Sequence, residues 1–310
     1  MGTTVVTVQG RMDSDDLGIV DAHNHLWISS QAVLGEGGSF LDQEVGIQDE
    51  LNAYRHLGGG GQVDCQPVGA GRDANQLKKL SLATDVAIIA STGFHLRHYY
   101  PAGARIWEMD TSEAVNFYMS EISEGLIETR EKDPVFPGMI KIAVEKSLDR
   151  SPIHLLEAAV QASQESGLLV QMHTEKGEGL EEILAFFDKQ GLEPERLVIA
   201  HIDKRPDLSL HQELARAGYL LEYDTFFREK YEPEKNLWPL LLEMVEAGFS
   251  DSIALATDQA DPGMWEVFGT GPGLPGFIRV IKKRLDEEIK DAETVNGLVG
   301  RNISRRLAVI

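Results

Sequence analysis

The chain has 310 residues, 42% of them hydrophobic and 25% charged, an ordinary balance for a folded globular protein that excludes disordered and fibrous classes. Its 29 Lys and Arg stand against 50 Asp and Glu, a formal net charge of −21 that repels phosphate backbones and anionic lipid, so nucleic acid and membrane surfaces are not expected partners. The single cysteine, Cys65, permits no intrachain disulfide and reads as a small buried filler. No run approaches the ~18 apolar residues of a membrane span, and the first sixteen residues lack a basic stretch followed by an apolar one, so the expected location is cytoplasmic.

Short apolar, β-branched runs bounded by glycine, proline or charge predict strands, in chain order, at 19–28, 61–68, 86–94, 136–144, 168–175, 197–203, 219–226 and 253–260. The runs are nearly continuous in their apolar character, which suits parallel strands covered on both faces. Each is followed by a segment of helical spacing. In 154–166, for example, Leu155, Leu156, Ala159 and Val160 share a face and Gly167 supplies the stop. Strand and helix repeated eight times predict an α/β protein, a (β/α)8 TIM barrel in one domain over 1–310, with its active site at the C-terminal ends of the strands. The stretch from Gly93 to Arg105 and the loops after strands seven and eight are the longest irregular pieces, placed to wall a pocket.

Residues able to hold metal gather at that rim. His23 and His25 close strand one, Lys141 sits on strand four, His173 ends strand five, His201 strand six and Asp258 strand eight. A spacing of two within a strand turns His23 and His25 to one face, the barrel interior, and imidazoles converging with an acid from several strands need something to bind. Lys141, in PGMIKIAV, is costly inside a barrel strand unless paired or modified. It is either salt-bridged to an acid or has captured CO2 as a carbamate, an anionic two-oxygen bridge between two metal ions that can share a hydroxide nucleophile. Asp258, in IALATDQAD, can ligate a metal and accept the proton from the attacking water.

The pieces VDAHNHLW, GGGGQVDCQPVGAGRD, IIASTGF, GMIKIAV, QMHTEKG, IAHIDKRPD, YLLEYDTF and ALATDQAD, in this order, resemble the phosphotriesterase family of the amidohydrolase superfamily across essentially the whole chain. The resemblance implies a hydrolase with two divalent ions per chain. His23, His25 and Asp258 would hold the more buried ion, His173 and His201 the more exposed one, and carboxylated Lys141 the bridge. Imidazole, carbamate and carboxylate accept zinc, manganese, cobalt or iron, with zinc the default. The family also suggests a homodimer. Three departures from its usual pattern stand out: Asn24 between the first two histidines, where it is expected to face away from the site, Thr257 before Asp258, and Lys204 three residues after His201.

The family's members divide by substrate into organophosphate triesters, lactones, phosphorylated sugar lactones and some amides, which the metal ligands do not separate. Lys204 after strand six, with Arg228 and Tyr231 forming R-x-x-Y after strand seven, looks like the phosphate anchor of the sugar-phosphate lactonase branch, and charge-assisted bonds there would offset the long-range repulsion of a chain at −21. The alternative is that Arg228 and Lys204 pair with Asp203, Glu229 or Asp207 on a solvated rim. Tyr99 and Tyr100, bracketed by Arg97 and Arg105, are candidates to orient the substrate. Phe226, Phe227, Trp265 and Phe268 are candidate apolar walls, and His95 and His98 are read as loop residues without a metal role. The reading is a metal-dependent lactonase acting on a phosphorylated sugar lactone. Hydrolysis of unphosphorylated lactones, triesters or amides is the alternative, and a binding protein that lost catalysis is disfavoured because all six ligand positions hold competent residues.

Overall fold

The computed structural model describes residues 4–30 and 39–309. The strands are β1 Thr4–Thr7, β2 Gly10–Asp13, β3 Ile19–Asn24, β4 Gly59–Asp64, β5 Ala87–Ile89, β6 Ser91–Gly93, β7 Met139–Ala143, β8 Leu169–His173, β9 Leu197–Ala200, β10 Leu220–Tyr223 and β11 Ile253–Leu255. All pairings except the β1–β2 hairpin are parallel, in the orders β3-β4-β5 and β6-β7-β8-β9-β10-β11. The predicted third strand is β5 and β6 together, interrupted at Ala90, whose carbonyl still accepts from Gly138 N at 2.9 Å. At the other seam Asp258 N donates to His23 O at 2.9 Å, so the two sheets form one closed (β/α)8 barrel.

Seven helices alternate with the strands: α1 Glu44–His56, α2 Ala74–Thr84, α3 Thr111–Glu124, α4 Ile153–Ser166, α5 Leu180–Lys189, α6 Leu208–Ala217 and α7 Leu237–Glu246. After β11 come a π-helical stretch, Phe277–Lys282, and α8, Lys283–Glu288. The predicted helix over 154–166 is α4, ended by Gly167 in the left-handed region, where L residues with a Cβ are strained. Aspartates start several helices. Asp73 and Asp207 cap α2 and α6 through their side chains, and Asp110 with Glu113 forms a reciprocal box at α3.

The barrel interior is layered by the two-residue period of the strands. Val20, Val63, Ile89, Met139, Leu169, Val198, Leu220 and Ala254 form a dry layer near the strands' N-terminal ends, and Val5, Leu17, Ile303 and Leu307 close it from below. This explains the N-terminal hairpin that the strand count from sequence left out: β1 and β2 belong to the plug beneath the barrel, and Thr4 bridges to Val309. One inward step higher, Met139 gives way to Lys141, Leu169 to Gln171 and Leu220 to Glu222, and a further step brings His173, Asp224 and Asp258, counted from Ala254. An apolar floor with a polar ceiling is thus written in the strand parity.

Candidate active site

The strands end earlier than the apolar runs suggest. His23, Lys141 and His173 lie within β3, β7 and β8, whereas His25 and His201 are the first residues beyond β3 and β9 and Asp258 is the third beyond β11. His201 lies an odd step from inward-facing Val198 and adopts φ 63°, while Asp258 adopts φ 45°. Left-handed conformations at non-glycine residues are costly and gather where function demands a particular direction. The β3–β4 register also shifts between Asp21 and Asn24, a bulge just where His23 turns inward.

The structure brings all six expected ligands together. His23 Nε2 and His25 Nε2 lie 3.8 and 3.6 Å from Asp258 Oδ1, and His201 Nε2 faces His173 Nδ1 at 3.0 Å. Each ring has its other nitrogen on an oxygen: His23 Nδ1 on Glu222 Oε1 at 2.6 Å, His25 Nδ1 on Gln66 Oε1 at 2.5 Å, His201 Nδ1 on Asp224 Oδ2 at 2.5 Å and His173 Nε2 on Glu175 Oε1 at 2.9 Å. An imidazole that donates outward presents a bare lone pair inward, which is how metal-binding histidines are held. With both rings donating outward, His173 and His201 would point lone pairs at each other, an arrangement that a shared cation or proton relieves.

The charge balance agrees. Burial pushes His23 and His201 well below the ordinary histidine range, His25 to about 4 and His173 downward, with Lys141 among the causes for each, a direction that favours the neutral form that ligates. Burial tends to raise Asp258 but is outweighed by Arg228, His25 and Lys204, which keep it below the usual carboxylate range. Glu222 and Asp224 are raised well above that range by burial and by neighbouring carboxylates, and cationic charge in the cavity is what would hold such acids ionised. Although Glu222 and Asp224 fall within 4.8 Å of His23 and His201, as do His23, His25 and Asp258 of one another, the two former acids face the Nδ1 side and serve as outer partners.

Lys141 is fully buried and its Nζ touches His23 Nε2 at 3.2 Å. Among the described residues it makes no ion pair, so the salt-bridged alternative lacks its acid. Asn24 is turned away from the site, as expected, donating to Asp21 Oδ2 at 2.9 Å and Gln62 Oε1 at 2.8 Å, and Thr257 Oγ1 joins the same buried network on Asp21 at 2.6 Å.

Above the imidazoles opens a cavity of about 280 Å³ walled by Lys204, Arg228, Tyr231 and Tyr99, with Lys230 and His95 beside them. The rim pairing considered for the cations is not what the structure has. Asp203 Oδ2 accepts from Thr225 Oγ1 at 2.5 Å, Asp207 caps α6, and Arg228 Nη2 instead donates to the Asp258 carbonyl at 2.5 Å and to Oδ2 at 2.6 Å. Among the described residues Arg228 Nε is buried with no partner and Lys204 makes no ion pair, its Nζ lying 5.6 Å from the Tyr231 ring centre.

Several expected contributors stand elsewhere. Tyr100 is buried against Trp107 and its hydroxyl accepts from His95 N at 2.9 Å; Arg97 stacks on Trp107. Phe226 packs on Trp238, and Trp265 on Phe268 with its indole N–H bonded to the Gln259 carbonyl, so none of these aromatics walls the cavity. His95, read as a plain loop residue, is buried 5.0 Å ring to ring from His173. The residues missed from sequence are the ring holders Gln66, Glu175, Glu222 and Asp224. The acids of LLEYD offered a signal, being two apart in an otherwise apolar strand; Gln66 offered none.

Comparison with known proteins identifies the family. Residues 3–271 match the model of the phosphotriesterase family. A phospho-furanose lactonase of Mycoplasmopsis synoviae is 29% identical over 267 residues, 81% of this chain and 75% of that one. An N-acetyltaurine hydrolase of Mus musculus is 29% identical over 248 residues, 76% of this chain and 70% of that one. The crystal structure of a lactonase from Listeria monocytogenes superposes with a TM-score of 0.87 at 22% identity, covering 98% of this chain and 99% of that one. The chain belongs to the phosphotriesterase family, a family of hydrolases that depend on a binuclear metal centre.

Proposed function

We propose that the protein is a lactonase acting on phosphorylated sugar lactones, with two divalent ions, zinc by default, held by His23, His25, His173, His201, Asp258 and a CO2-derived carbamate on Lys141. Such ions activate water and polarise the substrate carbonyl as Lewis acids. The downward-shifted imidazoles, a buried lysine that pairs with no acid among the described residues, and the outward oxygen partner on each of the four rings all suit that pair.

The chain's own groups supply the rest. Asp258, held ionised by Arg228, takes the proton released as water attacks, and Tyr99, which also lines the cavity, orients the ring being opened. The observation that carries the substrate reading is the cation chemistry over the site: the Arg228 guanidinium, the Lys204 ammonium and Tyr231 line one cavity in a chain of net charge −21. A terminal phosphate accepts from all three at once through charge-assisted bonds.

The test is metal content together with kcat/KM for γ- and δ-lactones with and without a terminal phosphate. The mouse relative's name adds an N-acyl amino sulfonate, another small substrate ending in an anion. Two ions per chain and preference for phosphorylated lactones are expected. Equal or better turnover of apolar lactones or triesters overturns the substrate reading and leaves the hydrolase, whereas preference for the amide reassigns the anchor to a sulfonate.

A further inference from the structure

Three of the four imidazoles at the site lean on carboxylates, from Glu222, Asp224 and Glu175, whereas His25 leans on a neutral amide, Gln66. The amide's orientation is itself determined by its surroundings. Gln66 Nε2 donates to the Ala70 carbonyl, which only accepts, so the oxygen end must face His25. An amide oxygen only accepts as well. His25 Nδ1 therefore carries the ring proton and Nε2 is left bare toward Asp258 Oδ1 at 3.6 Å.

The segment that sets this order is tightly held. Asp64 accepts from Leu26 N at 2.7 Å and Gln66 N at 3.1 Å, tying the backbone beyond His25 to that of Gln66. Ser29 N donates to Gly71 O at 2.9 Å, and Gly71, at φ 104°, lies so close to Ile28 that a Cβ would stand 2.8 Å from its Cγ2. The loop carrying Ala70 thus cannot drift from the strand end carrying His25, and Gln66 itself is buried.

We infer that Gln66 is the positioning residue of the His25 ligand, relaying the direction of the Ala70 carbonyl into the tautomer of His25 and so into the affinity of the ion position shared by His23, His25 and Asp258. A neutral partner orients the ring without adding the negative charge that Glu222 and Asp224 bring to theirs. This rests on the proposed metal centre for its functional meaning, but the tautomer belongs to the chain alone.

The test uses Gln66→Met, which fills the space without the acceptor, and Gln66→Glu, which keeps the acceptor and adds charge. Nitrogen-15 NMR of the histidine rings in chelator-treated protein reports the tautomer, and chelator competition on the loaded protein reports affinity. In the wild-type protein His25 is expected as the Nδ1–H form. Gln66→Met should lose that single form and release one of the two ions about 10–100-fold more readily, the scale of a lost outer partner, whereas Gln66→Glu should retain both tautomer and ion. A Gln66→Met protein with the wild-type tautomer and affinity overturns the inference. If Gln66→Met does not fold, Gln66→Glu decides alone, and weaker ion binding there overturns it. A wild-type chain that takes up no divalent ion sinks the metal centre instead, with the ring spectrum still judging the relay.

Discussion

Replacing Arg228 by alanine separates two roles that its geometry combines. Nη2 holds the Asp258 carbonyl and carboxylate at 2.5 and 2.6 Å, while the guanidinium also lines the cavity above the site. The first role serves every substrate and the second only one with an anion to meet that charge. A hydrogen bond to a charged group contributes about 1.5–3 kcal/mol, and at about 1.4 kcal/mol per factor of ten this is a loss of roughly 10–150-fold in kcat/KM. Because phosphate lies away from the reacting carbonyl, that loss should show in KM for phosphorylated lactones. The loosening of Asp258, by contrast, should lower kcat for phosphorylated and unphosphorylated lactones alike. The quantity to measure is the ratio of kcat/KM between matched substrates, in the parent, Arg228→Ala and Arg228→Lys. Arg228→Lys keeps charge but loses the planar fork, so it should recover only part of the preference. If Arg228→Ala lowers both substrates equally, Arg228 acts through Asp258 alone and the anchor reasoning fails.

Two further expectations concern the scaffold. Arg72 is buried with its N–H groups directed to Glu121, Glu128 and the Ser91 carbonyl, and Glu121 is likewise fully enclosed. Arg72→Met strands a buried acid, a cost of about 3–5 kcal/mol and a fall in Tm on the order of 10 °C; a thermal melt within 2 °C of the parent, on that ~10 °C scale, contradicts the network's structural weight. Asp64 behaves in the opposite sense to a salt-bridged acid. Burial, opposed by N–H bonds from Leu26, Gln66 and Trp27 and by the charge of Arg72, raises it from 3.8 to about 7. The folded state therefore holds this proton more tightly than the unfolded chain, so stability falls as pH rises from about 4 through 7. Denaturant titrations of chelator-treated protein should show a shallower decline for Asp64→Asn, and an unchanged slope would remove Asp64 from the account.

The chain's own order of residues determined the barrel and the cast of the site. Repeated apolar runs followed by amphipathic segments force a sheet covered on both faces, and His23, His25, Lys141, His173, His201 and Asp258 stand out because polar groups at strand ends are costly without a use. What only the tertiary structure decided is direction and partnership. The N-terminal hairpin was illegible because its short strands gain their place by plugging a barrel floor built from distant residues. The split at Ala90, the inward turn of His201 at φ 63° and the choice of Arg228 for Asp258 over Asp203 depend on which strands become neighbours. Gln66 shows the limit most plainly. Nothing in VDCQP marks its glutamine, and its role arises from a backbone carbonyl on one side and an imidazole 41 positions away in sequence on the other. Local sequence sets which groups can bond, whereas closure of the barrel sets which of them meet.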